Sequence, residues 1–304
     1  MRRRRGGKKQ GFFGTGRSTN FFEDGEFSSR MEEKKGRGAL SEVRGMTWMW
    51  ILGLAVVIAV VYLYVESHRV LDRRVHFTKR GLAGSFRFVQ ITDFHANSWV
   101  DLRKLREEIL AFAPHVIVTT GDLVDHAGDE MRAMELVEIL LSVGVPVVAV
   151  AGNHDVLPGV TIMEEMARRG VRVLANEAVD FSLGGVRVHI AGLAHPVRAD
   201  VYGALVDGDA DYTLLLAHTP FPLTRFLDAR TDLALAGHTH GGQARIPLFG
   251  AWYVPGEGFF PRYDKGLFAV GGTKLFISSG IGNTLAPIRV GNPVEIILGT
   301  VAGE

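Results

Sequence analysis

The hydrophobic pattern divides the chain into three regions. Residues 46–65 form one apolar stretch, MTWMWILGLAVVIAVVYLYV, without a formal charge. From about Phe86 onward, short apolar runs alternate with stretches whose apolar residues recur at helical spacing, as Leu105 and Ile109 do. This alternation predicts an α/β fold with mainly parallel strands. After Ala178 the apolar runs lie closer together, which favours a second, mixed sheet.

The uncharged stretch predicts a single transmembrane helix. At helical rise, a run of about 20 residues spans roughly 30 Å, the thickness of the hydrocarbon core of a bilayer. Trp48 and Trp50 lie near one end and Tyr62 and Tyr64 near the other, as interfacial aromatic residues do. A buried core helix is the alternative, but it is uncommon at this length. A cleaved signal peptide fits poorly, because the run starts late and no small-x-small cleavage site follows Val65.

Composition predicts the remaining boundaries. Residues 1–45 are rich in Gly, Ser and charge without an apolar period, and we expect a disordered basic tail. Residues 1–47 carry twelve Lys and Arg against six Asp and Glu, whereas the rest of the chain is mildly acidic. A nucleic-acid-binding domain carries its positive charge on its folded face, so none is expected here. We expect residues 66–85 to be a linker and residues 86–304 to form the main domain.

Charge near the helix bears on orientation. Five Lys and Arg lie within about 20 residues of each end, the window that matters for topology. Further positive residues upstream favour a cytoplasmic N-terminus in the cell (inner) membrane, which places the main domain outside the cytoplasm. No feature of the sequence indicates the oligomeric state.

Five apolar runs end in Asp, Asn or His. In an open α/β sheet, ligands bind beyond the carboxyl ends of the strands. The runs are followed in turn by Asp93 and His95; by Asp122; by Asn153, His154 and Asp155; by His218; and by His238 and His240. Any one of these is compatible with an ordinary turn. Five such ends together favour a shared site.

These residue types suit a pair of divalent metal ions. The chain has no cysteine, so a metal must be held by histidine, carboxylate or amide groups. A two-metal site needs a bridging anion, and Asp122 is suited to this because each of its oxygens can take one ion. Asp93 and His95, two residues apart, can both reach one ion. Imidazole with carboxylate suits Mn, Fe or Zn, and the sequence does not choose among them.

In this order, the blocks D-x-H, G-D-x-x-D, G-N-H-D, a lone H and G-H-x-H resemble the calcineurin-like metallophosphoesterase superfamily over residues 86–300. The resemblance implies a four-layer α/β/β/α sandwich after the transmembrane helix. It also implies hydrolysis of a phosphodiester or pyrophosphate bond by a metal-bound hydroxide. The implied ligands are Asp93, His95, Asp122 and His240 for one metal, and Asp122, Asn153, His218 and His238 for the other. His154 would stabilise the transition state or protonate the leaving oxygen, and Asp155 would orient it.

Two positions depart from related patterns. The second block reads GDLVDHAG, with His126 where protein Ser/Thr phosphatases carry a phosphate-binding arginine, so a phosphoprotein substrate is disfavoured. The first block reads DFHAN, with Asn97 in place of the usual glycine. The change at Asn97 affects the expected conformation of the turn after His95, but it does not change the predicted metal ligands.

A segment rich in aromatic residues follows the last block and includes Arg245 and Arg262. Two interpretations stay open: a loop packed on the core, or an apolar wall for a lipid or nucleoside with an arginine toward phosphate. With the helix, this segment resembles membrane-associated bacterial metallophosphoesterases. Some of these hydrolyse the pyrophosphate of UDP-diacylglucosamine in lipid A biosynthesis, and others are phosphodiesterases without a settled substrate. The former reaction occurs on the cytoplasmic face, opposite to the side that charge favours. A catalytically inactive, metal-free scaffold is disfavoured, because no ligand position is lost.

Overall fold

The computed structural model describes residues 23–283 and 288–304. Its helices are α1 (Glu23–His68), α2 (Leu102–Phe112), α3 (Glu130–Leu141), α4 (Ile162–Arg168), α5 (Ala199–Val206) and α6 (Pro220–Leu223). Its strands are β1 (Leu71–Lys79), β2 (Ser85–Ile91), β3 (Val116–Thr119), β4 (Val147–Ala149), β5 (Arg172–Val173), β6 (Glu177–Leu183), β7 (Val186–Gly192), β8 (Tyr212–Leu216), β9 (Leu233–Ala236), β10 (Arg245–Ile246), β11 (Gly250–Ala251), β12 (Tyr253–Val254), β13 (Gly258–Phe259), β14 (Gly266–Val270), β15 (Thr273–Ile277) and β16 (Glu295–Gly303).

Twelve of the strands form two six-stranded mixed sheets, and β10–β11 and β12–β13 form two short hairpins. The first has the order β1-β16-β2-β3-β4-β5, and only the β16–β2 pair is antiparallel. The second has the order β14-β15-β9-β8-β7-β6, with a parallel centre and an antiparallel pair at each edge. The parallel centres point the carboxyl ends of β2, β3, β4, β8 and β9 toward the loops that carry the predicted ligands.

Alternating side chains build four layers. In β3, Ile117 packs against α2, α3 and α4, whereas Val116 and Val118 face the second sheet. In β9, Leu235 faces the first sheet and Ala234 packs toward α5 and α6. Each sheet therefore has a helical layer on its outer face and the other sheet on its inner face. The predicted α/β/β/α sandwich is confirmed.

Helix α1 differs from the prediction at its N-terminal end. It begins at Glu23, so residues 23–45 are helical where composition predicts disorder. The stretch 31–35 consists of good helix formers, and Glu33 and Arg37 form an i,i+4 ion pair at 2.6 Å. The predicted tail also includes residues 1–22, which lie outside the described residues. Within α1, Glu42–His68 is long and apolar enough to cross a membrane.

The predicted linker is wrong for most of its length. Residues 66–68 complete α1, and Leu71–Lys79 forms β1, which pairs in parallel with β16 over nine residues. Only one face of β1 is covered, and Phe77 is its one fully buried side chain. The described residues divide into two compact units, one made of residues 23–59 and one that begins at Val60 and contains both sheets.

Candidate metal centre

The seven predicted metal ligands meet where the carboxyl ends of the central strands of both sheets lie side by side. They are Asp93, His95, Asp122, Asn153, His218, His238 and His240. Among the described residues, three groups have ligand atoms within 4.8 Å of one another, and His95 belongs to two of them: Asp93, His95 and His240; Asp122, His218 and His238; and His95, Asp125 and His154. The first group contains three of the residues predicted for one metal and the second contains three of those predicted for the other, whereas the third includes Asp125 and His154, which were not predicted as ligands.

The first group brings the Nε2 atoms of two imidazoles together, with the rings tilted by 32°. Nε2 of His95 lies 3.1 Å from Nε2 of His240, and the latter nitrogen is 3.4 Å from Oδ1 of Asp93. Nδ1 of His95 lies 3.2 Å from Oδ1 of Asp125. A proton on Nδ1 of His95 is therefore stabilised by a carboxylate, which leaves the Nε2 lone pair for a cation.

The second group converges on Nε2 of His218. Its Nδ1 lies 2.8 Å from the carbonyl oxygen of Thr120 and donates to it, so Nε2 faces the other ligands and would offer its lone pair to a cation that displaces its proton. That nitrogen is 3.1 Å from Oδ2 of Asp122, 3.0 Å from Oδ1 of Asn153 and 3.1 Å from Nδ1 of His238. Four atoms that can bind a metal ion, one from each of these residues, therefore lie close together.

Asp122 lies between the two groups. Its Oδ2 is 3.1 Å from Nε2 of His218 and 3.8 Å from Nε2 of His95. Its Oδ1 accepts a hydrogen bond from the backbone N–H of His154 at 2.9 Å. The side chain is buried, so little water competes for its charge. The single oxygen Oδ2 therefore faces both groups, whereas the sequence analysis expected each oxygen of Asp122 to take one ion.

Burial and local charge set the protonation of the site. Burial, together with the positive charge of His218, lowers the pKa of His238 to about 4. Burial likewise holds the pKa of His240 well below its usual value. Burial alone would lower the pKa of His218, but the charge and hydrogen bond of Asp122 outweigh it and raise this pKa to about 9. His238 and His240 are therefore neutral near pH 7, as metal ligands must be.

The donor set fits a pair of divalent cations. Burial raises the pKa of Asp93, so its carboxylate lacks enough positive charge nearby from the protein alone. Two contacts of 3.1 Å between imidazole nitrogens require either a proton or a cation between each pair. Oxygen and imidazole donors without thiolate are the ligands that Mn, Fe and Zn accept.

The backbone at these loops is strained, as functional sites often are. Five predicted ligands have φ between 47° and 71°: Asp93, His95, Asp122, His238 and His240. Close packing of the loops adds a second constraint. A Cβ on Gly152 would lie 2.1 Å from Oδ1 of Asp122, and one on Gly237 would lie 2.3 Å from Oδ2 of Asp93. Any larger residue at these two positions would displace the side chain of Asp122 or of Asp93.

The environment of His154 corrects one expectation. His154 lines the site cavity, and its Nδ1 lies 2.8 Å from the backbone oxygen of Asp125 and 3.4 Å from the carboxylate of that residue. Asp125, the second aspartate of GDLVD, therefore orients His154, and the predicted role of Asp155 is wrong. The spacing G-D-x-x-D was the sequence signal for Asp125.

Asp155 instead holds two ligand loops together. Its buried carboxylate accepts hydrogen bonds from the backbone N–H groups of Asp122 (2.7 Å), Leu123 (2.9 Å) and Gly152 (2.8 Å). These bonds join the loop after β3 to the loop after β4. Asp155 is thus a positioning residue for Asp122.

We expect Asp155→Asn to lower both stability and activity. An amide group cannot accept as many backbone N–H bonds, and leaving one buried donor unpaired costs about 2 kcal/mol of unfolding free energy. A small displacement of Asp122 then lowers kcat by about 10². Chemical denaturation and phosphodiester hydrolysis measure the two effects.

Asp101→Asn is the matched control. Asp101 also accepts two backbone N–H bonds, but at the exposed N-cap of α2, where asparagine serves equally well. Equal behaviour of the two variants would contradict the role given to Asp155.

The predicted substrate arginines lie elsewhere. Arg245 pairs with Asp264 at 2.9 Å and donates to the carbonyl oxygen of Gly241 at 3.1 Å. Arg262 lies over the ring of Tyr263. Both line a separate pocket of about 580 Å³, and neither is among the described residues that line the metal-site cavity. The structure does not bring them to the site.

Arg289 and Asn292 were missed by sequence analysis. Arg289 is fully buried, and its Nη2 lies 3.4 Å from Nδ1 of His240 while donating to the carbonyl oxygens of Ser279 and Gly282. Asn292 donates to the backbone oxygen of His240 at 2.6 Å. Both residues therefore hold His240 in position. Neither belongs to a sequence motif that would have identified it.

The cavity in front of the ligands is lined by two kinds of residue. It has a volume of about 620 Å³, and its lining includes Asp122, Asn153, His154, His238 and His240. Tyr253, Pro255, Ile288 and Val290 line another part of it. Apolar side chains beside clustered charge suit a substrate that joins a phosphate to an apolar group.

Comparison with known proteins decides the family. The family model for calcineurin-like phosphoesterases matches residues 86–242, which include all seven predicted ligands. This chain belongs to the calcineurin-like phosphoesterase family. It is therefore a metal-dependent phosphoester hydrolase of a family that uses a dinuclear metal centre.

Two bacterial relatives illustrate the similarity. The uncharacterized metallophosphoesterase YkuE of Bacillus subtilis strain 168 is 29% identical over 253 residues, covering 78% of this chain and 87% of that protein. The phosphodiesterase YaeI of Escherichia coli K12 is 31% identical over 230 residues, covering 70% of this chain and 81% of that protein. In both cases the similarity extends over most of the relative.

Proposed function

We propose that this calcineurin-like phosphoesterase is a membrane-anchored phosphodiesterase that cleaves the phosphodiester or pyrophosphate bond of a lipid-linked substrate. The observation that carries the proposal is the position of Asp122 between the His95 and His218 groups, in a cavity with one apolar wall. The helix Glu42–His68 supports anchoring. The similarity to a protein named as a phosphodiesterase supports the diester bond.

The site residues divide the work. Asp93, His95, Asp122 and His240 would hold one ion, and Asp122, Asn153, His218 and His238 the other. Two divalent ions bound there would supply positive charge for the phosphoryl oxygens and would lower the pKa of a water molecule. The protein itself fixes the geometry through its strained, glycine-packed loops, so little reorganisation is needed during the reaction.

His154 is the proton donor in this proposal. Its Nδ1 is held by the backbone oxygen of Asp125, so the imidazolium presents its Nε2 proton away from that oxygen. Its side chain is 29% exposed, which places it at the open side of the ligand cluster. Protonation of the departing oxygen by a positioned imidazolium is general acid catalysis.

The substrate proposal is tested by comparing three diesters with detergent-solubilised full-length protein. These are UDP-diacylglucosamine, a plain nucleotide diester and bis(p-nitrophenyl) phosphate. We expect all three to require Mn²⁺ after chelation, and the lipid-linked pyrophosphate to have a kcat/KM about 10-fold or more above the nucleotide diester. Equal values would favour a general phosphodiesterase, the second candidate.

The side of the membrane decides which lipids are available. A topology reporter fused after Glu304 reports where the catalytic unit lies. A cytoplasmic reporter is required for UDP-diacylglucosamine as the natural substrate. A reporter outside the cytoplasm, as charge near the helix favours, would restrict the substrate to lipid-linked diesters of the outer leaflet.

A further inference from the structure

Five aromatic rings form one exposed surface beside the catalytic cavity. Phe249 contacts Phe260 (6.3 Å between ring centroids), Phe260 contacts Trp252 (5.4 Å), Trp252 contacts Phe259 (5.5 Å) and Phe259 contacts Tyr253 (5.1 Å). We call these five residues the aromatic ridge. Phe249 is 72% exposed and Phe259 63%, and the adjacent Leu248 is fully exposed. A contiguous apolar surface of this kind marks an interaction site.

Little charge interrupts the ridge. Residues 248–263 contain one acidic residue, Glu257, and one basic residue, Arg262. The base of the ridge does carry charge, but Arg245 and Asp264 form an ion pair there. The hairpins β10–β11 and β12–β13 hold the rings through short strands, so the ridge is built from ordered backbone and not from a single extended loop.

Hydrogen bonds tie the base of the ridge to residues 288–292. Arg245 donates its backbone N–H to the carbonyl oxygen of Val290 at 2.9 Å, and Val290 donates to the carbonyl oxygen of Gln243 at 3.1 Å. Gly291 lines the same pocket as Leu248 and Phe249. The ridge is therefore fixed to this segment.

The last two turns of α1 lie against the same segment. The hydroxyl of Tyr62 accepts from the backbone N–H of Gly291 at 2.8 Å, and Oγ of Ser67 accepts from that of Arg289 at 2.9 Å. Oε2 of Glu66 accepts from the backbone N–H of Asn292 at 3.1 Å. Tyr62 is one of the aromatic residues that the sequence places at a membrane interface.

We infer that the aromatic ridge docks on the lipid bilayer at the C-terminal end of α1. The inference rests on the proposed membrane anchoring and names the surface that contacts lipid. If Tyr62 lies at the membrane interface, its partner Gly291 lies at the same depth. The pocket that Gly291 shares with Leu248 and Phe249 then lies at the interface too. Trp, Tyr and Phe rings are the side chains that favour the interfacial layer.

Docking in this way gives the cavity an apolar path from the membrane. Tyr253 belongs to the ridge and also lines the metal-site cavity, where Pro255, Ile288 and Val290 continue the apolar surface. The acyl end of a lipid substrate then stays within apolar surroundings while its phosphate reaches the ligands. The ridge thus acts as a membrane-docking surface for catalysis on lipids.

The absence of cysteine allows a direct test with site-specific spin labels. Leu248→Cys and Phe259→Cys variants of the full chain are labelled with a nitroxide and reconstituted into vesicles of phosphatidylethanolamine and phosphatidylglycerol. Met131→Cys is the matched control, because Met131 is an 80% exposed apolar residue on α3. Collision of each label with oxygen, which partitions into lipid, is compared with collision with a water-soluble nickel chelate.

We expect the oxygen-to-nickel ratio at positions 248 and 259 to exceed that at position 131 by about fivefold or more in vesicles, because immersed labels are shielded from water-soluble reagents. Ratios equal to that at position 131 would overturn the inference. Low access to both reagents with dipolar broadening between chains would also overturn it, in favour of a second copy on the ridge. Hydrolysis of bis(p-nitrophenyl) phosphate by each labelled protein confirms folding and tests the proposed function separately.

Discussion

Asp122→Asn lowers kcat/KM for a phosphodiester by about 10³-fold or more, the scale seen when a central catalytic group is removed. The amide keeps the size of the side chain and can still accept from the backbone N–H of His154. What it loses is the negative charge that lies 3.1 Å from Nε2 of His218 and 3.8 Å from Nε2 of His95. Since that charge serves both groups of ligands, its removal weakens both metal sites together.

The measurement is steady-state hydrolysis of bis(p-nitrophenyl) phosphate in saturating Mn²⁺. Asp209→Asn removes a fully exposed carboxylate and serves as the control, with unchanged activity expected. Circular dichroism shows whether the Asp122 variant remains folded. A folded Asp122→Asn protein with more than a tenth of the wild-type activity would contradict the bridging role.

His154→Gln separates substrates by the quality of their leaving groups. An alkyl or sugar oxygen must be protonated as it departs, so losing the acid lowers kcat by about 10²-fold or more. A p-nitrophenolate departs without protonation, and the loss with bis(p-nitrophenyl) phosphate is then below about 10-fold. A substrate-dependent loss identifies proton donation, whereas a purely structural role would lower both rates alike.

His76→Gln is the control for this variant, since His76 is an exposed histidine on β1. Its kcat is expected to match that of the wild type with both substrates. Equal losses for the alkyl and nitrophenyl diesters in His154→Gln would contradict proton donation by His154.

The candidate site was predictable because it depends on strand ends. A parallel strand buried on both faces reads as an apolar run, and its carboxyl end is marked by the first polar residues after it. Asp93 follows β2, Asp122 follows β3 and His218 follows β8 in this way. The topology then brings these residues to one edge without further information from the sequence.

Strand β1 was not predictable from local sequence. LDRRVHFTK carries four charged residues, and only Val75 and Phe77 pack into the core between the sheets. Its place in the sheet comes from backbone pairing with β16, whose partner residues lie more than 200 positions away. An edge strand with one covered face resembles a polar linker when it is read alone.

The residues that position the ligands could not be identified from the sequence either. Adjacent residues in a turn point in different directions, so Asp155 faces backbone N–H groups while Asp125, three residues after Asp122, reaches His154. Arg289 is fully buried, a rare state for arginine that sequence pattern does not signal. Two of its partners are the backbone oxygens of Ser279 and Gly282, whose positions are set by the fold and not by residue type.

The central claim is that the strand-end residues hold two metal ions through Asp122, and metal content measured by mass spectrometry tests it most directly. Purified full-length protein loaded with Mn²⁺ and freed of excess metal is compared with the His95→Ala, His218→Ala and Asp122→Asn variants. We expect about two ions per chain in the wild type, about one in each histidine variant and fewer than one in Asp122→Asn. Metal content that stays at the wild-type value in all three folded variants would contradict it.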